Sequence, residues 1–82
     1  MRIPKAKRYQ PEGFRARLRD LWSESGLTQA EVARRIGWER KSVNGWIYGN
    51  HVPDILALAR LCELFHVSAD YLLFGKEKKH ED

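Results

Sequence analysis

With 82 residues the chain has room for one small domain, and its 43% apolar and 32% charged residues are typical of a soluble globular protein. No apolar run reaches the roughly 18 residues of a membrane span, and no apolar stretch follows the charged start as in a secretory signal. A cytoplasmic location is therefore expected. The single cysteine, Cys62, excludes an intrachain disulfide and a multi-cysteine metal site.

The net charge of +4 is concentrated at one end of the chain. Residues 11–75 contain eight basic and eight acidic residues, and residues 76–82 contain three of each. The excess comes from Arg2, Lys5, Lys7 and Arg8. A basic arm beside a neutral domain favours a polyanionic partner such as DNA, RNA or an anionic membrane surface, although a solvated, disordered leader explains the charge equally well.

We predict three segments along the chain. Residues 1–12 form a flexible basic arm, residues 13–75 form the folded domain, and residues 76–82, which contain no apolar residue, form a disordered tail. Between Phe14 and Phe74 the pattern has no period-two alternation of apolar and polar residues. The domain is therefore expected to be all-α.

Two helices are predicted first. Apolar residues at helical spacing from Phe14 to Trp22 indicate a helix of about 12 residues that ends at Gly26. Thr28 and Glu31 then form a capping box, which starts a short helix whose apolar face continues to a left-handed cap at Gly37. The residues of that second face are Val32, Ala33 and Ile36.

Three more helices follow. The third opens near Arg40 and has two faces, with Val43, Trp46 and Ile47 expected to pack and Arg40, Lys41, Asn44 and Tyr48 expected to face outward. Asp54 is the predicted N-cap of a fourth helix, which supplies much of the core and carries Cys62 on its apolar face. Ser68 caps a fifth helix, which ends before Gly75.

The second and third helices have the features of a helix-turn-helix unit from Gln29 to about Gly49. In such a unit the first helix crosses the DNA backbone and the second lies in the major groove. Gly37 permits the tight turn, Ala33 allows a close approach of the two helices, and Val43 with Trp46 buries the inner face of the second. Each feature alone is common, but their combination is specific.

Several segments match the pattern of one known family at compatible spacing. They are Leu27-Thr28-Gln29-Ala30-Glu31-Val32-Ala33, Ile36-Gly37, Ser42-Val43, Gly49, Pro53 and Val67-Ser68-Ala69-Asp70-Tyr71-Leu72-Leu73. On these residues the chain resembles the phage repressor and Cro (XRE) type of helix-turn-helix transcriptional regulators, from about Phe14 to Gly75. The resemblance implies a compact five-helix bundle of the lambda-repressor-like type that binds double-stranded operator DNA, usually as a two-fold dimer.

The resemblance also implies contact residues. The residue that matches Gln29 in the family touches the DNA backbone, and the residues that match Arg40, Lys41, Asn44 and Gly45 face base edges. The planar fork of Arg40 suits guanine O6 and N7, and Lys41 can make a similar contact less rigidly. Asn44 can bind adenine or a phosphate. Gly45 offers no side chain, so that either fewer bases are read directly at this position or the helix approaches DNA more closely.

Other polar residues are better suited to contact phosphates, through amide, hydroxyl, imidazole and cationic donors. Contacts of this kind fix the register of the protein on DNA but carry no sequence information. The predicted phosphate contacts are Gln29, Ser42, Tyr48, Asn50 and His51 in the domain, and Lys5, Lys7 and Arg8 in the arm. For Tyr48 and His51, a packed aromatic or an ordinary loop residue explains the sequence nearly as well. Leu56, Tyr71 and Phe74 either carry a dimer contact or belong to the core.

Some residues depart from the family pattern. Glu39 stands where a good N-cap is usual, and Trp22 and Ile47 replace an arginine and a glutamate that form an internal pair in many relatives. His66 replaces a glycine at the end of the fourth helix, at some energetic cost if its φ is positive.

The sequence indicates no metal, cofactor, small-molecule ligand or catalytic set, because the three histidines are scattered and Cys62 is expected to be buried. The sequence therefore predicts a transcriptional regulator, most simply a homodimeric repressor on a palindromic operator, and not an enzyme. The alternative is a protein-interaction module of the same fold, such as a toxin-neutralising antitoxin or a transcriptional co-factor.

Overall fold

The computed structural model describes residues 9–75, which form five helices and no strand. The helices are α1 (Pro11–Ser25), α2 (Gln29–Ile36), α3 (Arg40–Ile47), α4 (Ile55–Phe65) and α5 (Ala69–Phe74). The predicted all-α, five-helix architecture is confirmed. The predicted contacts of Lys5, Lys7 and Arg8, and the predicted tail 76–82, lie outside the described residues.

The first helix begins earlier than predicted. It starts at Pro11 and runs for 15 residues, so that Pro11 and Glu12 belong to the helix and not to the predicted arm. Proline suits the first helical position because its missing N–H would have had no partner there, and the acidic Glu12 favours the positive end of the helix dipole. The end was predicted correctly, since Gly26 adopts the left-handed conformation at φ 76°.

The second helix begins with the predicted capping box. The Thr28 N–H donates to Glu31 Oε1 at 2.8 Å, and the Glu31 N–H donates to Thr28 Oγ1 at 3.1 Å. Two backbone donors that the helix itself cannot satisfy are thereby paired. Gly37 ends the helix at φ 86°.

The fourth and fifth helices also begin at the predicted caps. The Ala57 N–H donates to Asp54 Oδ1 at 2.8 Å, and the Tyr71 N–H donates to Ser68 Oγ at 2.9 Å. His66 ends α4 at φ 58° and is the only non-glycine residue with a positive φ in the described range. His66 therefore adopts the positive φ that is energetically costly for a residue other than glycine.

All five helices contribute side chains to one core. The core comprises Phe14, Leu18, Leu21, Val32, Ala33, Ile36, Val43, Trp46, Ile47, Ala57, Leu61, Cys62, Val67 and Leu72. Each large aliphatic side chain that is fully buried contributes about 1.5–3 kcal/mol through loss of its contact with water. Cys62 lies in this core as a free thiol, as predicted.

Arg17 connects the two ends of the domain. Its Nε donates to the carbonyl of Leu72 at 3.1 Å, and its Nη2 donates to the carbonyl of Leu73 at 3.0 Å. These carbonyls lie in the last turn of α5, where no further helical N–H is available to them. α5 is thereby held against α1, away from the helix-turn-helix unit. Among residues 9–75, none of the helices has the length and apolar character needed to cross a bilayer.

Candidate nucleic-acid interface

A three-residue turn joins α2 to α3. The N–H groups of Gly37 and Trp38 both donate to the Ala33 carbonyl, at 2.8 and 2.9 Å. This bonding needs the left-handed conformation of Gly37, and the Ala33 side chain is buried beside it. The predicted role of Gly37 in the turn is therefore confirmed, whereas the close approach of α3 to Ala33 stays a prediction.

The two faces of α3 differ as predicted. Val43, Trp46 and Ile47 are buried, and their inner face packs against the core. Arg40, Lys41 and Asn44 are exposed on the outer side, with Arg40 and Lys41 in the first turn. The preceding residue, Glu39, is an N-cap whose side chain makes no capping hydrogen bond.

Gln29 and Asn44 are joined by a hydrogen bond that was not predicted from the sequence. The Asn44 Nδ2 donates to Gln29 Oε1 at 3.1 Å, so that the N-terminus of α2 is connected to the outer face of α3. The bond uses the oxygen of Gln29 and one N–H of Asn44, and it orients the Gln29 amide nitrogen and the Asn44 oxygen for other partners. Nothing in the sequence indicates this pair, because its members are 15 residues apart.

Gly45 is buried in the described domain and lies against the His51 side chain. A Cβ built on Gly45 would lie 2.9 Å from His51 Cδ2 and 3.2 Å from His51 Cγ. The exposed His51 therefore lies next to Gly45 on α3, and the contact of Gly45 with base edges stays a prediction. This contact could not be predicted from the sequence, because the chain must first fold back after α3 before residue 51 can reach residue 45.

The remaining predicted phosphate contacts lie at different places. Asn50 is exposed in the loop after α3, whereas Ser42 is half-buried on α3. Tyr48 is 56% exposed at the end of α3, and its ring meets the edge of the Trp22 ring at a centroid distance of 6.2 Å. The Arg19 guanidinium lies 5.7 Å from the centre of the Tyr48 ring. Tyr48 is thus both a surface residue and a packed aromatic.

A groove runs along one side of α3 and has a volume of about 360 Å³. Its lining comprises Trp38, Lys41, Ser42, Trp46, His51, Val52 and Asp54. It brings together three predicted DNA contacts, Lys41, Ser42 and His51, from two segments of the chain. Asp54 adds a carboxylate, of which one oxygen is occupied by the N–H of Ala57.

Arg60 supports the turn from the α4 side. Its Nη1 donates to the Ile36 carbonyl at 2.8 Å, and its guanidinium lies 5.8 Å from the centre of the Trp38 ring. Trp38 is half-buried and also meets Trp46 edge to face at 6.3 Å. The role of Arg60 was not predicted, because Arg60 lies 24 residues from its hydrogen-bond partner.

Two ionisable groups have shifted pKa values. The hydrogen bonds from the Thr28 backbone and side chain lower the pKa of Glu31, which keeps the capping carboxylate charged. Burial raises the pKa of the Cys62 thiol, which disfavours the thiolate needed of a nucleophile. Within residues 9–75, no group of three His, Cys, Asp or Glu side chains is placed to hold a metal ion.

Apolar residues are exposed near the start of α4. Ile55 is 87% exposed and Leu56 is 53% exposed. The exposed Val52 precedes them and lines an apolar hollow of about 240 Å³ with Tyr9 and Pro53, among others. We call Val52, Ile55 and Leu56 the α4 apolar patch. Tyr71 and Phe74, the other two residues considered for a dimer contact, are half-buried.

Comparisons with known proteins agree with this architecture. A family model described as a helix-turn-helix domain matches residues 14–72. YqaE of Bacillus subtilis, an uncharacterized HTH-type transcriptional regulator, is 31% identical over 71 residues. The match covers 84% of the present chain and 61% of YqaE, so that the chain spans less than two thirds of that relative.

Three solved structures share the fold. The SOS-response transcriptional repressor LexA from Eubacterium rectale superimposes with a TM-score of 0.77 at 25% identity, covering 89% of this chain and 78% of LexA. A transcriptional regulator from Listeria innocua has a TM-score of 0.71 at 29% identity, covering 92% and 67%. The P22 c2 repressor, solved with a synthetic operator, has a TM-score of 0.73 at 24% identity, covering 77% and 96%, and shows similarity of fold alone.

Proposed function

We propose that this chain, which belongs to the phage repressor and Cro type of helix-turn-helix family, is a sequence-specific repressor of transcription. Members of that family are DNA-binding regulators and not enzymes. It binds double-stranded DNA in the cytoplasm with α3 in the major groove, and it represses by excluding polymerase. The observation that carries the proposal is the exposed pair Arg40 and Lys41 in the first turn of a helix whose other face is buried.

In this proposal Arg40 and Lys41 read bases and Asn44 assists them. An arginine fork binds guanine O6 and N7 in the major groove, so that at least one G·C pair is expected in each half-site. Asn44 is oriented by Gln29, which leaves the Asn44 oxygen to accept from a base and the Gln29 amide to donate to a phosphate. Ser42, Tyr48, Asn50 and His51 contact the sugar-phosphate backbone.

The protein binds its operator as a homodimer in this proposal. A two-fold dimer presents two recognition helices to half-sites about 34–36 Å apart, which makes the operator palindromic. The α4 apolar patch supports self-association, because Ile55 exposes 87% of its surface at the start of the helix. Ile55→Asp is expected to leave the fold intact and to convert a dimer into a monomer in sedimentation equilibrium. A wild-type monomer on a single half-site would contradict this part of the proposal.

Selection of duplexes from a random DNA pool tests the central claim. We expect enrichment of a palindrome that contains G·C pairs. Arg40→Ala should relax the preference at one base pair at a cost of about 1–3 kcal/mol, because a bidentate contact is lost. Arg35→Ala removes the same charge from an exposed position at the end of α2 and should leave the preference unchanged.

The arm has a separate test. Arg2, Lys5, Lys7 and Arg8 add phosphate contacts in this proposal, so that deletion of residues 1–8 should flatten the dependence of log affinity on log salt concentration. An unchanged slope would show that the arm does not engage DNA.

A protein-interaction module is the second candidate, and the exposed α4 apolar patch is the observation that favours it. The two functions are separated by the same selection. No enriched duplex, together with co-purification of a second small protein that Ile55→Asp abolishes, would favour an antitoxin or a transcriptional co-factor.

A further inference from the structure

Gly45 and His51 form a contact that is specific to this sequence. The three heavy atoms nearest to a Cβ built on Gly45 all belong to His51, at 2.9, 3.2 and 3.3 Å. Real Cβ atoms do not approach another atom as closely as the first of these distances, so that any side chain at position 45 would displace the imidazole. The absence of a side chain therefore determines where the ring lies.

The backbone holds the following loop in the same place. The carbonyl of Gly45 accepts from the N–H of Gly49 at 3.0 Å and from the N–H of His51 at 3.3 Å. Gly49 is also needed for this approach, because a Cβ there would lie 3.1 Å from the Gly45 oxygen. The chain after α3 thus folds back across α3 over a glycine surface.

This packing places His51 at the surface beside the recognition helix α3. The side chain is exposed and lines the groove that also contains Lys41 and Ser42. An ammonium, a hydroxyl and an imidazole are all donors to phosphate oxygens, and together they suit a DNA backbone that runs beside the recognition helix. The Asp54 carboxylate in the same groove is turned toward its own helix, where one oxygen accepts from the Ala57 N–H.

We propose that Gly45 is a positioning residue whose missing side chain seats His51 on α3, where the imidazole joins Lys41 and Ser42 in binding one DNA phosphate. The inference rests on the proposed DNA binding and adds to it a defined backbone contact. It also assigns a role to position 45, which lies under the ring and not against the bases.

A double-mutant cycle of Gly45→Ala and His51→Ala tests the proposal, with binding measured to the selected duplex and to an unrelated duplex of equal length. His51→Ala removes one hydrogen bond to a phosphate and should weaken both complexes by the same factor, about three- to tenfold. Gly45→Ala displaces the ring and should cause the same loss, and the double variant should bind no more weakly than either single variant. Asn50→Ala is the matched control, because the factor by which it lowers DNA affinity should multiply with the factor for Gly45→Ala.

Thermal unfolding without DNA separates this inference from the proposed function. Alanine is the better helix former, so that Gly45→Ala should raise Tm more in the His51→Ala background, where the ring is absent, than in the wild type. Equal shifts in both backgrounds would overturn the contact. Losses of DNA affinity that multiply would show that Gly45 does not position His51, and a loss confined to one base pair would overturn the phosphate assignment. If no duplex binds the wild type but the Tm shifts remain coupled, the DNA proposal fails and the packing stands.

Discussion

The two helices of the helix-turn-helix unit have the same length but are stabilised differently. Each has eight residues. α2 starts with a complete capping box and ends at a left-handed glycine, so that its boundaries are determined by residues within or next to it. α3 has no side-chain cap at Glu39 and ends at Tyr48 in a right-handed conformation. Buried side chains and contacts with other helices hold it in place.

This difference suits a helix that recognises DNA. The residues that stabilise α3, such as Val43 and Ile47, lie on its inner face, and no capping side chain is needed on its outer face. The outer residues can therefore be selected for binding with little effect on folding. The comparison predicts that α3 depends mainly on packing, whereas the start of α2 depends on local hydrogen bonds.

The largest effect is expected for Trp46→Ala. Trp46 is 4% exposed and meets Trp38 edge to face, so that its truncation leaves a large cavity beneath α3. We expect a loss of about 3–5 kcal/mol in the free energy of unfolding, measured by urea denaturation. Lys41→Ala, on the outer face, should change it by less than about 0.5 kcal/mol. Similar losses for both variants would contradict the separation of the two faces.

A smaller effect is expected for Thr28→Ala at the start of α2. The change removes the hydroxyl that accepts from the Glu31 N–H, and it should cost about 1 kcal/mol in the free energy of unfolding. Thr28→Ser keeps the hydroxyl and should retain most of the stability. If Thr28→Ala proves neutral, α2 is held by packing in the same way as α3.

Glu39→Ser should have an effect of opposite sign. Glu39 has the extended conformation of an N-cap, at φ −88° and ψ 150°, but caps nothing. A serine there can accept from the backbone of the first turn of α3, and we expect a gain of about 0.5–1 kcal/mol in thermal or urea unfolding. Glu39→Gln is the control for loss of charge without a new cap. No gain from serine would mean that the start of α3 is already determined by its packing.

The smallest effect is the pH dependence of the capping box. Hydrogen bonds from Thr28 lower the pKa of Glu31 in the folded state, so that its contribution to stability is present above the unfolded pKa and is lost as the pH falls through the folded pKa. Glu31→Gln can keep the reciprocal bond but does not titrate. We expect the stability of this variant to change less with pH than that of the wild type between roughly pH 5 and pH 2. Identical curves would contradict the capping contribution.

The parts of the fold that were predicted correctly depend on neighbouring residues. Gly26 and Gly37 end helices because glycine adopts a positive φ at little cost, and Asp54 and Ser68 begin them because each side chain reaches a backbone N–H three residues later. The start of α1 was predicted too late, because the spacing of apolar residues marks its first buried residue, Phe14, and not Pro11.

The candidate interface was predicted less completely. Arg40 and Lys41 are exposed on the outer face as expected, since helical periodicity alone separates that face from Val43 and Trp46. The Gln29 and Asn44 pair could not be predicted, because it depends on the angle between two helices.

The sequence by itself determined the helix-turn-helix unit, because its capping box, its turn glycine and the spacing of its apolar residues act over three or four positions. Only the tertiary structure decided what covers Gly45, how Arg17 holds α5 and how Arg60 supports the turn. These contacts join residues that are far apart in the chain and depend on the way the helices pack. The physical reason is that the two partners of a local hydrogen bond are only a few residues apart in the chain. The partners of a distant contact meet only after the core has formed.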